Sequence, residues 1–298
     1  PTGLARSIKD KFLYAHPSSS FLSSSTEFDG ARFVVVGAPL DVTGTFRSGY
    51  RDAPLSIRRA SSQIETYSWR YSHDAEHSAI HDLGDLVMGS DVFQAISVVE
   101  ESTAQIRTSS KIPLVLGGEH TVTFGSFLGS GADKLLVFDA HMDLRDEYQG
   151  ATMSHATWLR RLVEKTSPDR VMIVGARATS SEELSSDTPK VRIVRSFESG
   201  AGKSEFVDWV DDGSSCHVSV DMDFFDPAYA PGVGNPEPEG ATPSQLFDLL
   251  ASLRRPKVVG VDVCELVPSL DPAGISSVLA SKVLVELISL ISVKHLAQ

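Results

Sequence analysis

Seven runs of strand length, dominated by Val, Leu and Ile, recur along the chain: Phe33–Gly37, Pro113–Gly117, Leu135–Asp139, Val171–Gly175, Val191–Val194, His217–Asp221 and Val258–Asp262. They lack the in–out alternation of a half-solvated strand, so they predict strands buried on both faces. Between them lie longer stretches compatible with helices, such as Val92–Arg107, Ser154–Lys165, Thr242–Leu253 and Asp271–Leu290. Apolar strands alternating with helices predict an α/β fold of three layers, αβα, with a mainly parallel sheet covered on both faces. No Pro/Gly-rich linker, composition shift or internal repeat divides the chain, so residues 1–298 are read as one domain. Residues 1–30 carry serine triplets at Ser18–Ser20 and Ser23–Ser25 and are read as an irregular lead-in that packs on the body.

Composition narrows the picture in a few places. The most apolar segment, Ile275–Val293, is interrupted by Lys282 and Glu286, which predicts a buried or subunit-facing helix and not a membrane span. The amino terminus lacks a basic stretch followed by an apolar run; no secretory signal is expected, and the address is cytoplasmic. A formal net charge of -12 argues against a nucleic-acid partner and favours cationic substrates and divalent metals. The two cysteines, Cys216 and Cys264, lie in apolar stretches and are expected as buried thiols. They are too few for a disulfide framework or a cysteine-based zinc site.

In a parallel sheet, ligands bind beyond the carboxyl ends of the strands. Polar residues with chemistry should therefore follow the apolar runs. Three strand ends fit: Gly117-Gly-Glu-His120, Asp139-Ala-His141-Met-Asp143 and Asp221-Met-Asp223-Phe-Phe-Asp226-Pro227. Extended backbone points alternate side chains to the same side, so Asp139, His141 and Asp143 can converge, as can Asp221 and Asp223. Acids crowded at the mouth of an apolar sheet repel one another and lose hydration unless a cation compensates. Two histidines and four aspartates, with no thiolate, suit Mn²⁺ or a similar divalent ion better than structural zinc. Any one such aspartate is more often a helix cap or turn residue. Three strand ends with the same feature outweigh that reading.

The sequence resembles the ureohydrolases, the family of arginases and agmatinases, from about Val34 to the final helix. The matching signatures are Gly117-Gly-Glu-His120, Asp139-Ala-His141-Met-Asp143, Ser219-Val-Asp221-Met-Asp223-Phe-Phe-Asp226-Pro227 and Asp262-Val-Cys-Glu265-Leu-Val-Pro268. The resemblance implies an arginase-type fold and two Mn²⁺ per subunit. It gives His120, Asp139, Asp143 and Asp221 to the first ion and Asp139, His141, Asp221 and Asp223 to the second, with Asp139 and Asp221 bridging. It further implies that Asp143 holds a hydroxide and passes its proton to the leaving nitrogen, that Glu265 binds the guanidinium, and that His155 is a proton shuttle near the leaving amine. An imidazole titrating near neutrality suits that last task. The family is usually trimeric or hexameric, which implies a homo-oligomer.

Within the family, Asp143-Leu-Arg-Asp-Glu-Tyr148, Ser154-His155 and Asp226-Pro-Ala-Tyr-Ala-Pro231-Gly are similar to the agmatinase branch. The resemblance thus implies a small cationic guanidino substrate, with agmatine and water giving putrescine and urea. Two segments depart from the usual pattern, Arg47-Ser-Gly-Tyr-Arg-Asp52-Ala-Pro54 and Gly232-Val-Gly-Asn235-Pro-Glu237-Pro-Glu239-Gly240. Both are expected at the pocket and bear on the exact substrate. Guanidinobutyrate, formimidoylglutamate and arginine are alternatives, as are a related zinc amide hydrolase and a non-catalytic relative. Two further signals carry no chemistry. His73, His77 and His81, spaced by four, are read as a solvated helix face, and Gly200-Ala-Gly202-Lys203-Ser204, with Phe197 where a phosphate loop needs glycine, as a surface turn.

Overall fold

The computed structural model describes residues 19–195, 200–254 and 256–296. In chain order its strands and helices are β1 (Phe33–Ala38), α1 (Ala53–Ser61), β2 (Tyr67–Ser68), β3 (His73–Asp74), β4 (Ile80–Asp85), α2 (Val92–Thr108), β5 (Ile112–Gly117), α3 (Val122–Ser130), β6 (Lys134–Phe138), α4 (Trp158–Lys165), β7 (Val171–Val174), β8 (Arg192–Val194), α5 (Gly200–Val210), β9 (Ser215–Asp221), α6 (Pro243–Ala251), β10 (Lys257–Cys264) and α7 (Ile275–Leu296).

Eight strands make one sheet in the order β4-β1-β5-β10-β9-β6-β7-β8, and every neighbouring pair is parallel. All seven expected strands are present. Successive residues of each strand go to opposite faces, and both faces are apolar. Phe33, Val35, Leu114, Leu116, Leu136 and Phe138 join the core under α1, α5, α6 and α7. Val34, Val36, Val115, Leu135 and Val137 pack towards α2, α3 and α4. This is the three-layer arrangement that the pattern called for. Helices α2 and α3 lie so close that a Cβ on Gly125 would stand 2.4 Å from the Ile96 carbonyl oxygen, which leaves room only for glycine.

The segment from Ile275 to Val293 is long and apolar enough to cross a membrane, yet 83% of its most apolar window is buried inside the fold. It is a core helix packed on α1, with Ser281 Oγ donating to the Ile57 carbonyl at 3.0 Å. Both cysteines are buried, as expected. Of the lead-in, residues 1–18 lie outside the described residues; beyond them Phe21 is fully buried and its N–H donates to Asp82 at 2.7 Å.

Two readings need correction. His73, His77 and His81 share no helix: they fall in β3, a 3-10 turn and β4. His77 is exposed, whereas the other two are half-buried and held locally; His73 Nε2 meets Ser78 Oγ at 2.8 Å and His81 Nδ1 meets the Thr26 carbonyl at 2.7 Å. The Gly200–Ser204 segment is the first turn of α5, not a surface turn, because Phe206, Trp209 and Val210 at helical spacing bury themselves in the core.

Candidate metal centre

The four central strands of the sheet, β5-β10-β9-β6, end side by side, and each delivers polar residues to the same edge. His120 follows β5, Glu265 follows β10, Asp221 closes β9 with Asp223 in the 3-10 turn after it, and Asp139, His141 and Asp143 follow β6. His155 arrives from the turn that precedes α4. All of these except Asp139, which lies behind His120 and His141, border a cavity of about 390 Å³ that is also lined by Thr45, Phe46, Arg145, Tyr148, Glu183 and Asn235–Glu237.

Asp139, Asp221 and Asp223 have a shared design. One oxygen is fixed by a backbone N–H, and the other faces an imidazole Nδ1. Asp139 Oδ1 accepts from His141 N at 2.6 Å, Asp221 Oδ1 from Asp223 N at 2.8 Å and Asp223 Oδ1 from Ala140 N at 3.1 Å. Their second oxygens converge: Asp139 Oδ2 and Asp221 Oδ2 lie 3.0 and 3.1 Å from His120 Nδ1, and Asp223 Oδ2 lies 2.9 Å from His141 Nδ1. Asp143 Oδ2 stands 3.4 Å from His120 Nδ1 and is held by the Trp158 indole N–H at 2.7 Å. Two groups could each hold a cation, His120 with Asp139 and Asp143, and Asp139 with His141 and Asp223; Asp139 belongs to both.

The buried polar atoms test whether a metal fits. His120 Nδ1 is buried without a hydrogen bond although three carboxylates surround it. Its other nitrogen, Nε2, meets Ser219 Oγ at 3.0 Å, and Ser219 Oγ donates to Asp262. A proton on Nε2 leaves a lone pair on Nδ1 directed into the cluster, the state in which imidazole binds metal. Among the described residues no Lys or Arg side chain pairs with Asp139, Asp143, Asp221 or Asp223. Burial, then the charges of Asp223 and Asp139, push Asp221 well above the usual carboxylate range. Burial and then Asp139 raise Asp143 to about 6. Burial opposes charge on His120, yet the surrounding carboxylates outweigh it and hold the imidazole well above its usual range. A cluster that clings to protons in this way is short of positive charge. The residues fit a pair of divalent cations.

Asp143 and Glu265 both adopt left-handed backbone, with φ of 53° and 65°. Such strain in residues other than glycine tends to be retained at functional sites. Glu265 Oε1 accepts from His120 N at 2.6 Å, and burial pushes its carboxyl up to about 8. Burial pushes His155 down to about 4 instead of leaving it near neutrality, and its buried Nδ1 has no partner. The later atypical segment borders the cavity through Asn235, Pro236 and Glu237. The earlier one does not: Thr45 and Phe46, just before Arg47, take that place. Trp158, Ser219 and Asp262 were not singled out for a role at the site. Ser219 had a signal, since it sits two residues before Asp221 and points to the same side; Trp158 had none.

Comparison with known proteins identifies the family and the fold. The arginase family model covers residues 31–289, and the chain belongs to that family. Within it, the chain falls in the agmatinase branch of the ureohydrolases. Agmatine ureohydrolase of Thermoplasma volcanium superposes with a TM-score of 0.86 at 35% identity, over 94% of this chain and 96% of that one. The agmatinase of Pyrococcus horikoshii is 33% identical over 91% of this chain and 96% of its own length. A guanidinobutyrase of Pseudomonas aeruginosa is 30% identical over 90% of this chain and 88% of its own.

Proposed function

We propose that the chain hydrolyses agmatine to putrescine and urea at a two-manganese centre. The observation that carries this reading is a pair of His/Asp groups joined through Asp139 at the base of a cavity that also contains the buried Glu265. His120, Asp139, Asp143 and Asp221 would hold one ion, and Asp139, His141, Asp221 and Asp223 the other. Bound there, such a pair would lower the pKa of water from 15.7 towards about 7 and so would supply a nucleophile at neutral pH.

The protein's own groups do the rest. Glu265 pairs with the guanidinium and turns its carbon towards the cluster, since a carboxylate matches the planar cation in charge and shape. Asp143, anchored by Trp158, takes the proton of the attacking water and passes it to the nitrogen that leaves. His155, held neutral by burial, passes a proton on at the leaving amine. The C–N bond breaks as that nitrogen is protonated, giving urea and an amine. Glu237 offers its half-exposed carboxylate, 3.9 Å from His141 Nε2, to the substrate's second cation.

One observation favours a second reading. Arg145 lines the same cavity with its guanidinium 5.0 Å over the Tyr148 ring, and a cation there suits a carboxylate tail such as that of guanidinobutyrate. Urea release from agmatine, arginine and guanidinobutyrate, with and without added Mn²⁺, tests both; no urea from any of them with Mn²⁺ bound would overturn the assignment. Metal analysis of the purified protein separates manganese from zinc.

The match across 31–289 supports one catalytic domain, and burial of the apolar last helix supports a core role for it and not a membrane span; a cytoplasmic address is part of the proposal. A homo-oligomer, trimer or hexamer, is part of the proposal, and light scattering decides it.

A further inference from the structure

The loop after β1 packs directly on the Gly117-Gly-Glu-His120 turn. Glu119 N donates to the Leu40 carbonyl at 3.0 Å, and a Cβ on Gly118 would stand 2.0 Å from the same oxygen, so only glycine allows this approach. Glu119 is completely buried and turns its carboxylate back into the loop. Its Oε1 accepts from the backbone N–H groups of Val42, Thr43 (2.5 Å) and Gly44 (3.3 Å), a nest of successive donors around an anion. Its Oε2 accepts from the Thr43 hydroxyl.

Thr43 continues the connection. Its Oγ1 accepts from the backbone N–H of His155 at 3.0 Å. The direction of this relay is fixed by chemistry. An amide N–H can only donate, and the hydroxyl has one hydrogen, which the buried carboxylate takes. Two residues on, Thr45 Oγ1 stands 3.4 Å from His155 Nε2, and the Tyr148 ring meets the imidazole edge-on at 5.9 Å. His155 Nδ1 is left buried at the cavity with no hydrogen-bond partner among the described residues.

We infer that Thr43, oriented by Glu119, is a positioning residue that sets the place of His155 in the cavity. Glu119 adjoins His120, so the same turn that carries a candidate metal ligand also fixes the backbone of the residue assigned to proton transfer. The inference rests on the proposed role of His155. Removing the hydroxyl leaves the His155 N–H and one Glu119 oxygen without partners and lets the imidazole drift, and a displacement of about 1 Å is worth up to about 10²-fold in rate.

The test compares Thr43→Val, Thr43→Ser, His155→Ala and Thr43→Val/His155→Ala, each loaded with Mn²⁺ and assayed for urea release from agmatine. We expect Thr43→Val to lower kcat roughly 10- to 100-fold with KM and bound Mn²⁺ little changed, and Thr43→Ser to restore kcat. The double variant should be no slower than His155→Ala. In the metal-free protein, amide exchange across residues 151–158 should be faster in Thr43→Val than in wild type. Should Thr43→Val not fold, Thr43→Ala serves the same comparison. The inference is overturned if Thr43→Val slows the His155→Ala enzyme by the same factor as wild type, if it acts by losing Mn²⁺, or if exchange at 151–158 is unchanged. A His155→Ala enzyme as fast as wild type would instead overturn the proton-transfer role itself.

Discussion

Two groups of acids occur along this sheet, one at its β4 edge and one at its centre, and the chain treats them in opposite ways. At the edge, Arg58 from α1 meets Asp82 in a two-pronged pair, Nε to Oδ2 at 2.8 Å and Nη2 to Oδ1 at 2.9 Å, and also bonds Asp85. Asp82 accepts from the Phe21 and Gly84 N–H groups as well. The cation comes from the protein, and every oxygen of Asp82 has a donor. At the centre, four aspartates share two imidazoles, and His120 Nδ1 is aimed at them without a hydrogen bond. Burying charge is costly in both places. Where the need is structural, the chain brings its own counter-charge; at the proposed catalytic centre bound cations would supply it.

Substitutions can break this contrast, beginning with the largest expected effect. Asp139→Asn removes the carboxylate common to both groups and should cut urea production by at least about 10⁴-fold, because the nucleophile depends on the bound cations. Metal analysis should show a parallel loss of Mn²⁺, and an unchanged Mn²⁺ content would break the assignment. Arg58→Met should have the converse signature. We expect about 3–5 kcal/mol less stability in urea unfolding, since it strands the buried Asp82, while Mn²⁺ affinity of the folded enzyme stays as it was.

Smaller effects sharpen the picture. Ser219→Ala unties the outer nitrogen of His120 and should weaken Mn²⁺ binding roughly 10- to 100-fold, read by titration calorimetry, as for the loss of other groups that orient a metal ligand. Glu237→Gln should raise KM for agmatine only about 2- to 5-fold, the scale of a solvent-exposed charge pair, and leave KM for guanidinobutyrate unchanged. A rise with both substrates would remove Glu237 from recognition of the second cation.

The same contrast explains what could be read in advance. Strands β1, β5, β6, β9 and β10 announce themselves as apolar runs because a parallel strand covered on both faces has few other ways to exist. Strand β4 was missed: Ile80-His-Asp-Leu-Gly-Asp85 looks polar, and its buried Asp82 side chain is neutralised by Arg58 from α1. The spacing of His73, His77 and His81 suggested a helix for a related reason, since local periodicity says nothing of the hairpin, 3-10 turn and edge strand that claim those residues.

From the sequence alone came the alternation of buried strands and helices, and the strand ends that carry His120, Asp139, His141, Asp143, Asp221, Asp223 and Glu265. Polar residues after apolar runs are conspicuous because a two-faced sheet admits so few. Only the folded chain decided that β5, β10, β9 and β6 lie side by side, so that acids as far apart in sequence as Asp143 and Glu265 line one cavity. The fold alone also decided that Trp158 steadies Asp143, that Thr43 reaches His155, and that Arg58 answers Asp82. Those partners are chosen by strand order and close packing, and a hydrogen bond between distant segments leaves no periodic trace in the order of residues.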